Sequence, residues 1–439
     1  MATSRPSERP RPRRLRRVGA ALACTLLGAC QTPPAPLSVP PPGPSAAVVG
    51  RVAASASSGA PAAPGPVAPP APAPLEGRDF GAEARLLQRV AACAGADALP
   101  PELDAGAVER HCAALGPKLT SFRAHLGKVR DFVAGVEPPT LPTTVVYPFA
   151  GGDVATALAV YPRAGELTTL SLELAGDPRR LGGLGAAALD RSLAALRRQL
   201  DELLATSSFS FSDTLKFTQH GDIPGEIAFV LVGLALHDRE PVHMRFFRLE
   251  PDGRVRYLSD EDISAADGTV AARRKESWFP PDFSEAFANV EIAHRARAAA
   301  DAAPLAIHRH VAANLGDAAL ADNGALLLHL AAKGPVAVLV KASSYLLWGP
   351  GFDLVRDYLT GHMAFGISDS SGLLPEVATR AGFVLETYGS FLGTRIPASG
   401  AGTRAMVALF RAGPARPLPF RFGYVDTSSR PSLIVARKP

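Results

Sequence analysis

The spacing of apolar positions changes along the chain, and each change predicts a change of element. Leu86, Leu87, Val90 and Cys93 recur at helical spacing, as do Val108, Cys112 and Leu115. Leu119, Phe122, Leu126, Val129 and Phe132 continue that spacing up to Gly135. Steps of three and four residues place such side chains on one helix face, so 77–135 reads as a small helical cap. Beyond about residue 140 short β-branched runs alternate with helical stretches: a strand at 143–149, a helix at 153–161, a strand at 167–174. A long helix follows at 184–205, with Leu189, Leu193, Leu196, Leu200 and Leu203 on one stripe. "EIAFVLVGLAL", the turn "HDREP", "VHMRFFRLE", the turn "PDG" and "RVRYLS" then read as an antiparallel meander inserted at about 208–290. Alternation resumes with "PLAIHRHVA", a helix near 318–333, "VAVLVKASS", a helix near 352–361, "MAFGISDSS", a short helix from Pro375 and "FVLETYGSF". Strands separated by helices predict a mostly parallel sheet with helices on both faces. The fold class is therefore α/β, a Rossmann-like domain over 136–439, with its last two strands read as an antiparallel end.

Composition changes the picture at the front of the chain. Residues 31–76 hold fourteen prolines among mostly Ala, Gly, Ser and Val, which cannot supply a core. The segment 30–76 is expected to be a disordered Pro/Ala-rich tether, reaching roughly 140 Å if drawn out as polyproline II. Before it, "RPRRLRR" and then "VGAALACTLLGAC" form a basic stretch and an apolar run too short to span a bilayer. Leu27-Gly28-Ala29-Cys30 resembles the lipobox of bacterial lipoproteins. That resemblance implies a signal peptide at 1–29, acyl (palmitate-type) chains on Cys30 and a membrane held through the lipid. Gln31, where an aspartate is absent, implies the outer membrane, with the folded part in the periplasm or at the cell surface. An ordinary secretory signal with an incidental cysteine is the alternative.

Removing residues 1–29 takes away seven arginines and one glutamate. The total of 46 basic and 41 acidic side chains then becomes 39 against 40, so the formal excess of +5 belongs to the signal. A near-neutral remainder has no clustered basic surface for phosphates, and nucleic acid is excluded as a partner. Two of the four cysteines, Cys24 and Cys30, lie in the signal. The remaining two, Cys93 and Cys112, are expected to form a disulfide in an oxidising compartment, with two free buried thiols as the alternative.

The chemistry-bearing candidates gather around "VVYPFAGGDVATALAVYP" (Val145–Pro162). Ligands of an open α/β sheet bind beyond the carboxyl ends of its strands, where glycines admit a ligand to the backbone. Gly151 and Gly152 fall at such a corner, Asp153 can cap the helix that follows, and Glu173 ends the next strand. The order of elements is similar to class I S-adenosylmethionine-dependent methyltransferases. The resemblance implies that Gly151, Gly152 and Glu173 take the first-turn and ribose positions, with Lys341 at the mouth beside Asp369. The family's first turn, E/D-x-G-x-G-x-G, is here Tyr147-Pro-Phe-Ala-Gly-Gly-Asp153, so a purely structural corner is the competing reading. The donor is also cytosolic, which argues that an exported relative has lost or exchanged the activity. "GGLGAAA" at 182–188 reads as a small-residue helix entry.

"YPFAGGD", "VLVKASSYLL", "ISDSSG" and "ETYGSF" together resemble an uncharacterised family of bacterial exported proteins. If those blocks line one cleft, its walls are Tyr147, Asp153, Lys341, Ser343, Ser344, Tyr345, Asp369 and Ser370. Lys341 with Ser343 also offers a serine–lysine pair on one strand face. His308 and His310 share a strand face but no third ligand is placed by spacing, so no metal is expected. His237 and His243 flank a charged turn and read as solvent-exposed. The sequence calls for no cofactor. These readings lead to an outer-membrane lipoprotein with a non-catalytic envelope or binding role, the alternative being an exported methyltransferase-like enzyme or hydrolase.

Overall fold

The computed structural model describes residues 75–206, 223, 225–267, 284–299, 301, 303–395 and 400–439. The signal peptide, Cys30 and nearly all of the tether lie outside the described residues, as do 207–222 and 268–283 of the expected insertion. Ten strands make one sheet: β1 (Thr144–Pro148), β2 (Glu166–Ser171), β3 (Arg239–Leu249), β4 (Val255–Tyr257), β5 (Asn289–Ala296), β6 (Ala306–Ala312), β7 (Val336–Val340), β8 (Met363–Ser368), β9 (Val384–Gly389) and β10 (Ser432–Arg437). Their order is β4-β3-β5-β6-β2-β1-β7-β8-β10-β9. The centre, from β6 through β2, β1 and β7 to β8, is parallel. Both flanks are antiparallel. The Rossmann-like α/β class expected from the alternating pattern is what the chain forms.

Helices cover both faces, and the side chains of each central strand divide between two cores. Val145, Leu167, Ala337, Leu339, Leu433 and Val435 point to one, and Val146, Leu170, Val336, Val338, Val340 and Ile434 to the other. Strand residues alternate faces, so these β-branched runs are buried on both sides, as a covered parallel sheet requires. Helices α1 (Gly81–Ala92) and α2 (Ala105–Ala134) join the first core through Leu87, Val90, Leu115 and Phe122. The two stripes read separately before and after Pro117 lie on this single thirty-residue α2, which carries the proline inside. Cys93 and Cys112 form the expected disulfide between α1 and α2. Closing that loop of nineteen residues stabilises the fold by about 3 kcal/mol in the chain-entropy model.

Four expectations are corrected. "EIAFVLVGLAL" is not a strand but lies on a helix: α3 (Val154–Val160) and α4 (Ala186–Asp201) are followed by α5 (Gly225–Leu236), all twelve residues of which are buried. An unbroken apolar run has no period, so it fits a fully enclosed helix as well as a strand. Gly233 lets α5 approach α3, because a Cβ there would stand 2.9 Å from the Ala155 backbone nitrogen. Second, β8 and β9 do not pair with each other. β10, missed in the sequence, lies between them, antiparallel to both. Third, β5 was also missed. It anchors the antiparallel flank through a cross-strand charge ladder in which Glu291 takes Arg245 at 2.6 Å and Arg309 at 2.7 Å, while Arg309 also reaches Glu166 at 2.7 Å. Fourth, the turn histidines are half-buried rather than solvent-exposed: His237 bonds the Ala155 carbonyl at 2.8 Å and His243 bonds Asp79 at 2.8 Å. Burial pushes the His237 imidazole down to about 4.

The second half of the chain adds α6 (Asp260–Asp267), α7 (Asp317–Asp322), α8 (Gly324–Ala331), α9 (Asp353–His362), α10 (Pro375–Arg380) and α11 (Gly400–Ala412). None of the helices among the described residues is long and apolar enough to cross a membrane.

Candidate functional site

The carboxyl ends of β1, β2 and β7 meet around a cavity of about 220 Å3. It lies where β1 has β2 on one side and β7 on the other, at the crossover of the sheet's strand order. Strand β1 stops at Pro148, and the chain then turns through Phe149, Gly151 and Gly152, all at positive φ (61°, 52° and 78°). Asp153 caps α3, accepting the Thr156 backbone N–H at 3.1 Å. On the neighbouring strand the chain leaves Val340 through Lys341 and then holds Ala342, Ser344 and Tyr345 at φ of 54°, 54° and 57°. Bulky and β-carbon-bearing residues seldom occupy this region, and such strain collects at functional sites.

Of the eight cleft residues expected from the sequence, Tyr147, Asp153, Lys341, Ser343 and Ser344 line this cavity. Gly151 and Glu173 line it too. Gly152 does not face it: a Cβ there would stand 2.5 Å from Glu226 Oε2 and 3.1 Å from the Phe229 Cβ. Its role is to let the α5 start pack behind the corner. Tyr345, Asp369 and Ser370 lie behind the wall. Tyr345 stacks on Tyr424 with ring centres 5.3 Å apart, and its hydroxyl is 3.2 Å from Ser370 Oγ.

Lys341 is buried and ion-paired with Asp153, and its ammonium also donates to Thr156 Oγ1 at 3.0 Å. The Tyr147 hydroxyl donates to the same Asp153 at 3.3 Å. Burial, followed by the charges of Asp153 and Asp369, pushes that phenol well above its usual range. On the α2 side His125 faces the pair, and burial with the Lys341 charge pushes its imidazole down.

Lys341 therefore sits beside Asp153 rather than beside Asp369. Asp369 is fully buried and accepts from Ala342 N at 3.0 Å, Tyr424 N at 2.8 Å and Ser371 N at 2.9 Å, with the Ser371 hydroxyl at 2.5 Å. It clamps the strained Ala342 turn to the Tyr424 segment, and burial still pushes its carboxyl up. Ser343 lies past the end of β7, so it does not share a strand face with Lys341. Its hydroxyl donates to the Ser371 carbonyl at 2.8 Å. Among the described residues no side-chain base accepts its proton, as a nucleophilic serine needs.

His308 and His310 do share one face of β6. Thr169 Oγ1 lies 2.9 Å from His308 Nε2 and 3.3 Å from His310 Nδ1, and His310 Nε2 donates to the Glu173 carbonyl at 2.8 Å. Burial pushes both imidazoles down. Among the described residues no group of three or more His, Cys, Asp and Glu could hold a metal ion. The glycines at 182–185 lead into α4, with Gly185 as its N-cap.

Three polar contributors escaped the sequence reading, as did the rings of Phe149 and Phe352. Ser171 ends β2 and lines the cavity with its hydroxyl buried and without a partner among the described residues. Asn314 follows β6 and completes that wall. The strand-end rule reaches both, since each sits where a parallel strand stops. Tyr424 comes from an irregular segment that no periodicity marks. Compared with family models, curated proteins and solved structures, the chain matches none.

Proposed function

We propose that this chain is a lipid-anchored envelope protein whose α/β domain binds a small molecule at the β1/β7 crossover and performs no chemistry on it. The observation that carries the reading is the preformed cavity with three strained non-glycine residues, Phe149, Ala342 and Ser344, in its walls. The side chains that catalysis would call on are engaged inside the protein. Lys341 is held by Asp153 and Thr156, Ser343 by Ser371, and Asp369 by backbone and hydroxyl donors. Ligand sites are concave, largely preformed and oriented by a few polar groups, which is the character of this pocket.

Thermal unfolding of the full chain against adenosyl compounds, nucleotides, sugars and lipid fragments tests the reading. A true ligand at a hundred times its Kd adds about 2.7 kcal/mol of stability. That gain should vanish in Ala313→Phe, which fills the cavity from a half-buried position. Stabilisation that survives Ala313→Phe, or none from any class, overturns it.

The anchor rests on Leu27-Gly28-Ala29-Cys30. Cells fed labelled palmitate should label the wild type and not Cys30→Ala, because two or three acyl chains give stable attachment. An unlabelled wild type refutes the anchor.

A second reading is favoured by one observation. The seven strands β6-β2-β1-β7-β8-β10-β9, with β10 alone reversed, have the layout of the class I methyltransferases. An adenosyl compound emerging from the same screen would move the protein toward that enzyme class.

A further inference from the structure

The polar groups around the cavity are unevenly charged. Two carboxylates, Asp153 and Glu173, line it against one ammonium, Lys341, and the ammonium is already neutralised by Asp153. Among the described residues no arginine lines the wall and no cation pairs with Glu173. Ser171 lines the same cavity from the same strand end, and its Oγ is buried and without a hydrogen-bond partner among the described residues. One layer deeper, both oxygens of the buried Glu226 carboxyl also lack partners among the described residues. That carboxyl presses on Gly152, and the charge of Glu173 acts on it. Aromatic rings supply the remaining surface: Tyr147, Phe149, Phe352 and Tyr424 line the cavity, with the Phe149 and Phe352 ring centres 6.1 Å apart.

Acid, unsatisfied hydroxyl and π-faces in one small cavity select for one charge type. A cation gains from the ring faces and from a carboxylate that has no counterion among the described residues, while an anion is repelled by both. We infer that the cavity takes a small organic amine, its ammonium held by Glu173 and Ser171 and its apolar body between the aromatic rings. This inference rests on the ligand-binding reading above and names the ligand's class. It excludes free phosphates, nucleotides and carboxylic acids as occupants.

Three probes that share a phenethyl body test it by calorimetry on the full chain at neutral pH: phenethylamine, 2-phenylethanol and 3-phenylpropionate. The amine should bind at least tenfold more tightly than the alcohol, and the acid should bind least. In Glu173→Gln the amine should fall to the level of the alcohol while the alcohol is unchanged, a split that simple loss of folding would not give. Ser171→Ala, which removes one unpartnered hydroxyl from a buried site, should weaken the amine several-fold and leave the alcohol alone. Equal binding of all three probes, or preference for the acid, overturns the charge assignment while the cavity remains a binding site. Silence from all three also overturns it, and the wider ligand screen with Ala313→Phe then decides separately whether the cavity binds anything.

Discussion

Lys341→Met is expected to cost about 3–5 kcal/mol of folding stability, read as a lower urea midpoint at unchanged slope. The reason lies in what remains. Both partners are almost completely buried, with side-chain exposures of 3% and 2%. Removing the ammonium leaves the buried Asp153 without its counterion, with only the Tyr147 hydroxyl and the Thr156 N–H as donors. Two neutral or backbone donors do not replace a counterion at that depth. The pair as a whole need not be strongly stabilising, since its own desolvation offsets much of the attraction. Lys341→Met combined with Asp153→Asn should therefore recover much of the loss, because the orphaned charge is gone and an N-cap acceptor is kept. A second readout is local. Lys341 pushes the His125 imidazole down, and Asp153 pushes it up. In Lys341→Met the His125 titration followed by NMR should move upward. A small stability change with an unmoved His125 would show that Lys341 is not bound to Asp153 in solution.

That partnership marks the limit of what the sequence discloses. Tyr147, Asp153 and Lys341 were each legible, because each lies at or just past the end of an apolar β-branched run, where parallel strands present their ligands. Their meeting was not legible, since it depends on β7 lying beside β1, and sheet order is set by which helices cover which face. Thus Lys341 was assigned to Asp369 when its partner is Asp153. The parallel centre was readable for the same reason as the site: five short apolar runs separated by helical stripes admit few other arrangements. The flanks were harder. β5 mixes Glu291, His294 and Arg295 into its run, and its charged face is stabilised only by the neighbouring strands' arginines. β10 follows an irregular stretch and carries no turn signal tying it to β8 or β9. Helix α5 was misread through the absence of a period, and with it the one acid at its start was passed over as a strand terminus.

That acid carries the other large expected effect. Glu226→Met should raise stability by about 1–3 kcal/mol at neutral pH, because a buried polar group without partners is replaced by an apolar one of similar shape. Burial, and then the charge of Glu173, pushes the Glu226 carboxyl well above the usual carboxylate range. The sign of the pH dependence follows. Below its ordinary 4.5 the group is protonated in both folded and unfolded chains and contributes no slope. As pH rises past that value the unfolded chain releases the proton while the folded protein retains it, so stability falls by about 1.4 kcal/mol per unit until the folded group ionises. Glu226→Met and Glu226→Gln both remove this slope, and only the methionine also removes the unpartnered polar atoms. The urea midpoints of wild type and Glu226→Gln should therefore lie together near pH 4 and separate toward pH 8, while Glu226→Met runs above the glutamine variant by a constant offset at every pH. Parallel curves would show that Glu226 is charged and solvated in the folded protein.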